Sequence, residues 1–244
     1  MTTSKKELIA LQFPFFEDKY EENLEKLIAH IQKAPKGSVV VAPELCLTNL
    51  SFDKMQEAAE FGESALKKLL ELSQDKVIAF TLTEKVDGKF YNSAKILHGG
   101  KVMHTQPKVK LFKFGDEDKY FQAGSEENIK IIKIDGLKYA ILICFEIRFI
   151  KFWERLQGAD IILIPALWGK LRKEQFEAIT KSMAIINQAF VIASDSSNED
   201  MASSSGIITP FGEEFRDDSS EYITLTADLK DIKKMRRYMD IGIL

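Results

Sequence analysis

An apolar, β-prone run in residues 139–149, YAILICFEIRF, passes directly into Cys144, with Glu146 and Arg148 close behind. Two other apolar runs stop as abruptly. SVVVAPE ends at Pro43 and Glu44, and ADIILIPALW ends at a proline and Trp168. In layered α/β folds the C-terminal ends of strands face one crevice, and ligands bind there. A thiol, a carboxylate and an indole are therefore expected to meet. A thiol attacks only as the thiolate, and a neighbouring carboxylate can accept its proton. The positive charge such a site lacks is offered by Lys108, just after Pro107 in a charged, aromatic stretch, residues 106–124. Each residue alone has a plainer reading. A buried cysteine is usually a small hydrophobe, a carboxylate after proline can cap a turn, and a lysine sits on the surface by default.

These groups need elements to position them. ELIALQF, SVVVAPE and KVIAFTLTE read as strands. Between them, residues 21–32 place Leu24, Leu27, Ile28 and Ile31 on one helical face, and a second helix is expected over residues 64–74. KFYNSAKILHGGKVMHT reads as two strands around a Gly-Gly turn. Residues 106–124 are aperiodic, so a long functional loop with a short helical turn is expected, kept ordered by its aromatics. The second half repeats the alternation. NIKIIKID, GLKYAILIC, ADIILIPA and FVIASD are strands, and FIKFWERLQ and KEQFEAITKSMAIINQA are helices. SSSGIITPFGEEF reads as a strand and turn, and EYITLTADL as a last strand before a helical tail. No repeat, linker or shift in composition divides the chain, so residues 1–244 are expected to form one α/β domain with layered mixed sheets.

The totals exclude several classes. A net charge of −3 with no basic block argues against a nucleic-acid partner. No apolar stretch reaches the roughly 18 residues of a membrane span. The N-terminal apolar run is short and breaks at Pro14, unlike a signal peptide. No membrane partner is expected, and the location expected is cytoplasmic. Cys46 and Cys144 form no disulfide framework, and a reducing compartment leaves both thiols free. Neither metal-ligand spacing nor a Gly-rich phosphate loop occurs, so no metal and no cofactor are expected. His30, His98 and His104 carry no cysteine-protease signature.

Glu44 in APELCLTN, Lys108 in PKVKLFKFGDEDKYFQAG and Cys144 in ILICFEIRF together resemble the Glu-Lys-Cys triad of the nitrilase superfamily of carbon-nitrogen hydrolases. IILIPALWG, AITKSMAIINQAFVIASD and SGIITPFGE follow in the family's order, so the resemblance covers nearly the whole chain. Register with the following KLF selects Lys108 over Lys110, Lys113 and Lys119, although Lys110 stands where the family usually has histidine. The resemblance implies a four-layer α-β-β-α sandwich with two mixed central sheets. It also implies a homodimer, with a contact reduced here because MRRYMDIGIL ends earlier than many relatives.

The chemistry it implies is hydrolysis through a thioester on Cys144. Glu44 is the acid–base residue, and Lys108 and the backbone N–H of Phe145 are the oxyanion donors. Glu117 in FGDED matches a second glutamate that supports Lys108, the substrate or the water, with Asp116 and Asp118 as rivals one residue away. Cys46 fills no role. Arg148 either forms a structural ion pair with Glu146 across the nucleophile's turn or binds a substrate carboxylate, and Trp168 is expected in the pocket wall. CFEIRF and KLFKFGDE look most like the amidases acting on ω-amides of α-keto acids and on deaminated glutathione. The expected reaction releases ammonia and a carboxylate from a small linear amide. The alternatives are an N-carbamoyl amide hydrolase or nitrilase of the same superfamily and, from another class, a non-catalytic binding or scaffold relative.

Overall fold

The computed structural model describes residues 4–243. Residues 1–3 and Leu244, parts of the N-terminal run, the C-terminal tail and the 1–244 domain expected above, lie outside the described residues. The first half runs through β1 (Lys5–Leu11), α1 (Tyr20–Lys33), β2 (Val39–Val41), α2 (Met55–Leu72), β3 (Val77–Val86), β4 (Lys89–His98) and β5 (Lys101–Pro107). A loop carrying one helical turn, α3 (Glu117–Tyr120), leads into β6 (Ile132–Ile134), β7 (Leu137–Ile141), α4 (Ile150–Arg155), β8 (Ile161–Pro165), α5 (Lys173–Asn187) and β9 (Phe190–Ser194). The chain closes with β10 (Gly206–Ile208), β11 (Glu214–Arg216), β12 (Tyr222–Asp228) and α6 (Lys230–Tyr238).

The strands make two six-stranded sheets, ordered β12-β1-β2-β3-β4-β5 and β11-β10-β9-β8-β7-β6. Each has a parallel centre, β1-β2-β3 in one and β7-β8-β9 in the other, flanked by antiparallel strands. The period-2 alternation of strands explains the layering. Leu8, Ala10, Val39, Val41, Val77 and Ala79 face the core shared with the second sheet. Their neighbours Ile9, Leu11, Val40, Ile78 and Phe80 face Leu24 and Leu27 of α1 and Leu69 of α2. On the far side, Phe176, Met183 and Ala184 of α5 join the second sheet's core. The order is thus helix, sheet, sheet, helix, as expected. Strands buried on both faces need uninterrupted apolar runs, which is why VVV and IILIP carry no polar residue. Burying each such aliphatic side chain is worth about 1.5–3 kcal/mol. No helix among the described residues is long and apolar enough to cross a membrane.

One element differs in extent. The helix expected over 64–74 begins nine residues earlier, at Met55, and ends at Leu72. Its buried stripe is Met55, Ala58, Ala59, Gly62, Ala65 and Leu69. These fall at helical spacing but are mostly too small to register as an apolar face. Gly62 lets the helix close on β3, because a Cβ there would lie 3.0 Å from the Thr83 carbonyl oxygen.

The topology gathers the chemistry-bearing residues. Glu44 follows β2, Lys108 follows β5, Cys144 follows β7, and Trp168 follows β8. Hydrogen bonds tie the two sheets together here. The Glu44 N–H donates to the Ala166 carbonyl at 3.0 Å, and Gln106 Nε2 donates to the Ile141 carbonyl at 3.1 Å.

Candidate active site

Lys108 is fully buried, and its ammonium donates to Glu44 Oε1 and to Glu117 Oε1, each at 2.7 Å. Glu44 Oε1 also accepts from Asn92 Nδ2 of β4 at 2.7 Å, and Glu117 Oε2 accepts from the Phe112 N–H at 2.9 Å. Burial works against the Lys108 charge, but the Glu44 and Glu117 carboxylates more than reverse it and hold the ammonium above its usual range. Burial raises Glu117, opposed by Lys108 and assisted by Glu44. The two acids thus favour the ammonium form of Lys108.

Cys144 opens the turn Cys144–Arg148 directly after β7. Its φ is +46°, a left-handed conformation that costs a non-glycine residue about 1–2 kcal/mol. Strain of this kind clusters where a side chain must be presented. The sulfur faces the Leu167 carbonyl at 3.7 Å, and the Glu44 carboxylate is near enough to act on the thiol electrostatically. Burial first, and then the Glu44 carboxylate, push the thiol well above its usual range, while Lys108 pulls it down. Cys46, by contrast, is a core residue packed with Val40 and Leu47, and burial raises its thiol too.

Glu146 makes no ion pair with Arg148, which overturns that reading. It is fully buried and faces inward. Its Oε1 accepts from the Val109 N–H at 2.5 Å and its Oε2 from the Ile143 N–H at 2.8 Å. It thereby ties the residue after Lys108 to the residue before Cys144. Burial raises its carboxyl to about 7 against those backbone donors. Arg148 points the other way, donating to Gln175 Oε1 and lying 4.8 Å from the centre of the Trp168 ring.

Above Cys144 opens a cavity of about 440 Å³, walled by Phe112, Phe114, Phe145, Leu167 and Trp168. Arg148 and Arg172 are its charged members. Phe145 packs on Phe112 and Phe149, with ring centres 5.2 and 5.3 Å away. Trp168 is held at both ends. Its N–H donates to Asp195 Oδ1 at 2.7 Å, and its indole Nε1 donates to the Arg172 carbonyl at 2.8 Å.

The other lysines of the loop lie outside the cluster. Lys119 pairs with Asp116 at 3.0 Å, and Lys110 lies 3.9 Å from Glu126. Glu117 is the acid turned inward, while Asp116 and Asp118 are exposed. His30 pairs with Glu221 and His98 with Asp135, away from Cys144.

Sequence reasoning did not find Asn92, Asp195 or Arg172. Asn92 and Asp195 carried a usable signal, a polar residue inside or just ending a buried strand, the same signal that exposed Glu44 and Cys144. Burial raises Asp195 to about 7. Arg172 sits in a loop turn, Lys170–Arg172, where nothing in the sequence separates it from its charged neighbours.

This fold, with a Glu-Lys-Cys cluster at its strand ends, defines the class. Residues 10–237 match the carbon-nitrogen hydrolase family, and the chain belongs to that family of hydrolases, which act on carbon–nitrogen bonds other than peptide bonds. It is 31% identical over 245 residues to a 2-oxoglutaramate amidase of Bacillus subtilis (strain 168), covering 95% of this chain and 94% of the relative. Its fold matches Saccharomyces cerevisiae Nit3, a member of branch 10 of the nitrilase superfamily, with a TM-score of 0.84 at 19% identity, over 98% of this chain and 95% of that one. A further fold match is a variant of the amidase from Nesterenkonia sp. AN1 with the acetamide moiety of fluoroacetamide covalently added at its active-site cysteine. There the TM-score is 0.80 at 15% identity, over 98% of this chain and 96% of that one.

Proposed function

We propose that the chain hydrolyses the C–N bond of a small linear amide through a thioester on Cys144, releasing ammonia and a carboxylate. The observation that carries this reading is Lys108, buried and bonded to both Glu44 and Glu117 and acting on Cys144, which itself lines the cavity. The similarity to a 2-oxoglutaramate amidase favours an ω-amide of an α-keto acid among the candidates.

Burial and the Glu44 carboxylate favour the protonated thiol in the resting site, and sulfur attacks when a carbonyl carbon is placed against it. Glu44 takes the proton as sulfur attacks. The carbonyl π electrons move onto oxygen, where the Lys108 ammonium and the Phe145 N–H stabilise the negative charge. One such donor is typically worth about 3 kcal/mol in the transition state. Collapse of this intermediate breaks the C–N bond, and Glu44 returns the proton to the leaving nitrogen. Water, deprotonated by Glu44, then attacks the thioester. The C–S bond breaks, and the thiol is restored. Glu117 keeps the ammonium aimed throughout.

The chain is further proposed to act as a homodimer, joined through the outward face of α5, where Ile185 and Ile186 are exposed, and through the adjacent tail residues Tyr238 and Met239. Gln188 at the end of α5 donates to the Met239 carbonyl and holds that tail in place.

Product analysis across amides, N-carbamoyl amides and nitriles tests the reaction. Ammonia with a carboxylate from an amide is expected. Carbon dioxide released with ammonia from a carbamoyl compound, or turnover of nitriles alone, contradicts the amidase reading, and no turnover of any class favours a scaffold.

A further inference from the structure

A second cavity, of about 530 Å³, opens at the other end of the strands from Cys144. It lies where β1 begins, where β6 turns into β7 and where α6 begins. Leu137, the first residue of β7, lines it, so the run along β7 to Cys144 spans about 20 Å. Leu229, Ile232, Lys233 and Arg236 recur every three or four residues and make one face of α6 its wall. The Leu229 N–H donates to the Ser4 carbonyl at 2.7 Å, which fastens that wall to the start of β1.

The charge of this cavity is unbalanced. Its two acids are already engaged, Asp135 with His98 at 3.0 Å and Asp160 with Arg236 Nη1 at 3.2 Å. So are the acids just outside it. Asp228 accepts from the Lys230 N–H at 3.0 Å, and Asp231 pairs with Lys234 at 2.7 Å. Among the described residues, the lining lysines Lys5, Lys6, Lys230 and Lys233 form no ion pair. Lys5, Lys230 and Lys233 reach the cavity from solvent, whereas Lys6 is half-buried. Burial pushes the Lys6 ammonium below its usual range against the pull of Asp135. Arg236 gives its Nη2 to the Ala159 carbonyl at 2.6 Å, and its buried Nε has no acceptor.

A cleft lined by charges of one sign over apolar walls focuses the field and draws anions in. Leu137, Leu229 and Ile232 supply such a wall, packed against the core. Ammonium groups arriving from two elements can meet several anionic oxygens at once, and lysine binds phosphate oxygens as a point charge. We propose that this cavity binds a phosphorylated small molecule of the nucleoside di- or triphosphate class. Its phosphates lie among Lys6, Lys230 and Lys233, and its uncharged part rests against the apolar wall. The site is separate from the cavity above Cys144 and does not depend on the amidase reading.

Calorimetric titration with ATP at physiological salt, without a divalent cation, tests this. Adenosine is the uncharged control and citrate the anion without phosphate. The double variant Lys6→Gln/Lys233→Gln is compared with Lys67→Gln/Lys89→Gln, which removes two exposed charges elsewhere. ATP is expected to bind and adenosine not to. The first variant should weaken ATP binding at least about tenfold, and the second less than about twofold. No binding of ATP, adenosine or citrate binding as tightly as ATP, or equal losses in the two variants overturn the proposal.

Hydrogen exchange of the wild-type protein locates the ligand without any substitution. ATP is expected to slow exchange in residues 135–137 and 229–236. Protection confined to residues 112–114, 144–148 and 167–172 would put ATP in the cavity above Cys144 and overturn the assignment. Thermal melts without ATP should match between wild type and Lys6→Gln/Lys233→Gln. If that variant melts earlier, Lys230→Gln/Lys233→Gln, which alters exposed side chains only, takes its place with the same expected loss.

Discussion

At the residue scale, the site's central feature is an ammonium whose environment bears on stability and on the proposed reaction alike. A surface lysine could be removed without cost to folding, but Lys108 is fully buried between two carboxylates. Lys108→Ala should therefore lower turnover at least about a hundredfold by removing an oxyanion donor. It should also destabilise the fold by about 3–5 kcal/mol, because two buried acids lose their partner. Urea unfolding and steady-state ammonia release check the two effects, and near wild-type turnover would remove Lys108 from the chemistry.

The left-handed φ of Cys144, +46°, makes a separate prediction. Glycine adopts that conformation freely, so Cys144→Gly should be about 1 kcal/mol more stable than Cys144→Ala, both being inactive. Equal or lower stability of the glycine variant in urea melts would show that the turn stores no strain.

At the scale of elements, two buried carboxylates hold the loops that follow the strands. Glu146 joins the segment after β5 to the segment after β7 through the Val109 and Ile143 N–H groups. In Glu146→Gln, one of these donors would face an amide NH2. Turnover should fall about tenfold or more with KM nearly unchanged, because the displaced atoms are the proposed catalytic ones and not the cavity walls. A proportional rise in KM would argue for a general loosening of the site.

Asp195 holds the Trp168 N–H at the end of β8. The folded carboxyls of Glu146 and Asp195 are both raised to about 7 by burial, from ordinary values of 4.5 and 3.8. Between those limits the unfolded chain has released protons that the folded chain keeps. These groups thus make stability fall as pH rises from about 4 to 7 and level off above. Asp195→Asn keeps an oxygen for the Trp168 N–H but cannot titrate, so thermal melts from pH 4 to 8 should show a shallower fall than in wild type. An unchanged slope would contradict the assignment.

At the scale of the molecule, the layered sheets bring residues from distant segments to one point. The strands β2, β7 and β8 were legible because a strand buried on both faces must be apolar without interruption, and the residue that breaks the run then stands out. Glu44 and Cys144 were visible for that reason, whereas Lys108 needed the order of the surrounding motifs to set it apart from Lys110, Lys113 and Lys119. The first half of α2 was hidden because alanine and glycine can form a tight helix–sheet contact with little hydropathy signal. Glu146 was visible as a residue but misread, since its partners are backbone N–H groups that no side-chain pattern reports. Arg172 depends wholly on how a loop folds over Phe112.

If α5 and the tail form the proposed dimer, Ile186→Asp should convert a species of twice 27.8 kDa into one of 27.8 kDa in sedimentation, and a wild-type monomer would contradict it. The convergence of acid, ammonium and thiol is tested most directly by intact-mass analysis of the enzyme quenched during turnover of an amide, followed by peptide mapping. The account predicts a mass increase equal to the acyl group, located on Cys144 and lost in Cys144→Ala. An acyl group on Cys46, or ammonia release that persists in Cys144→Ala, would contradict it.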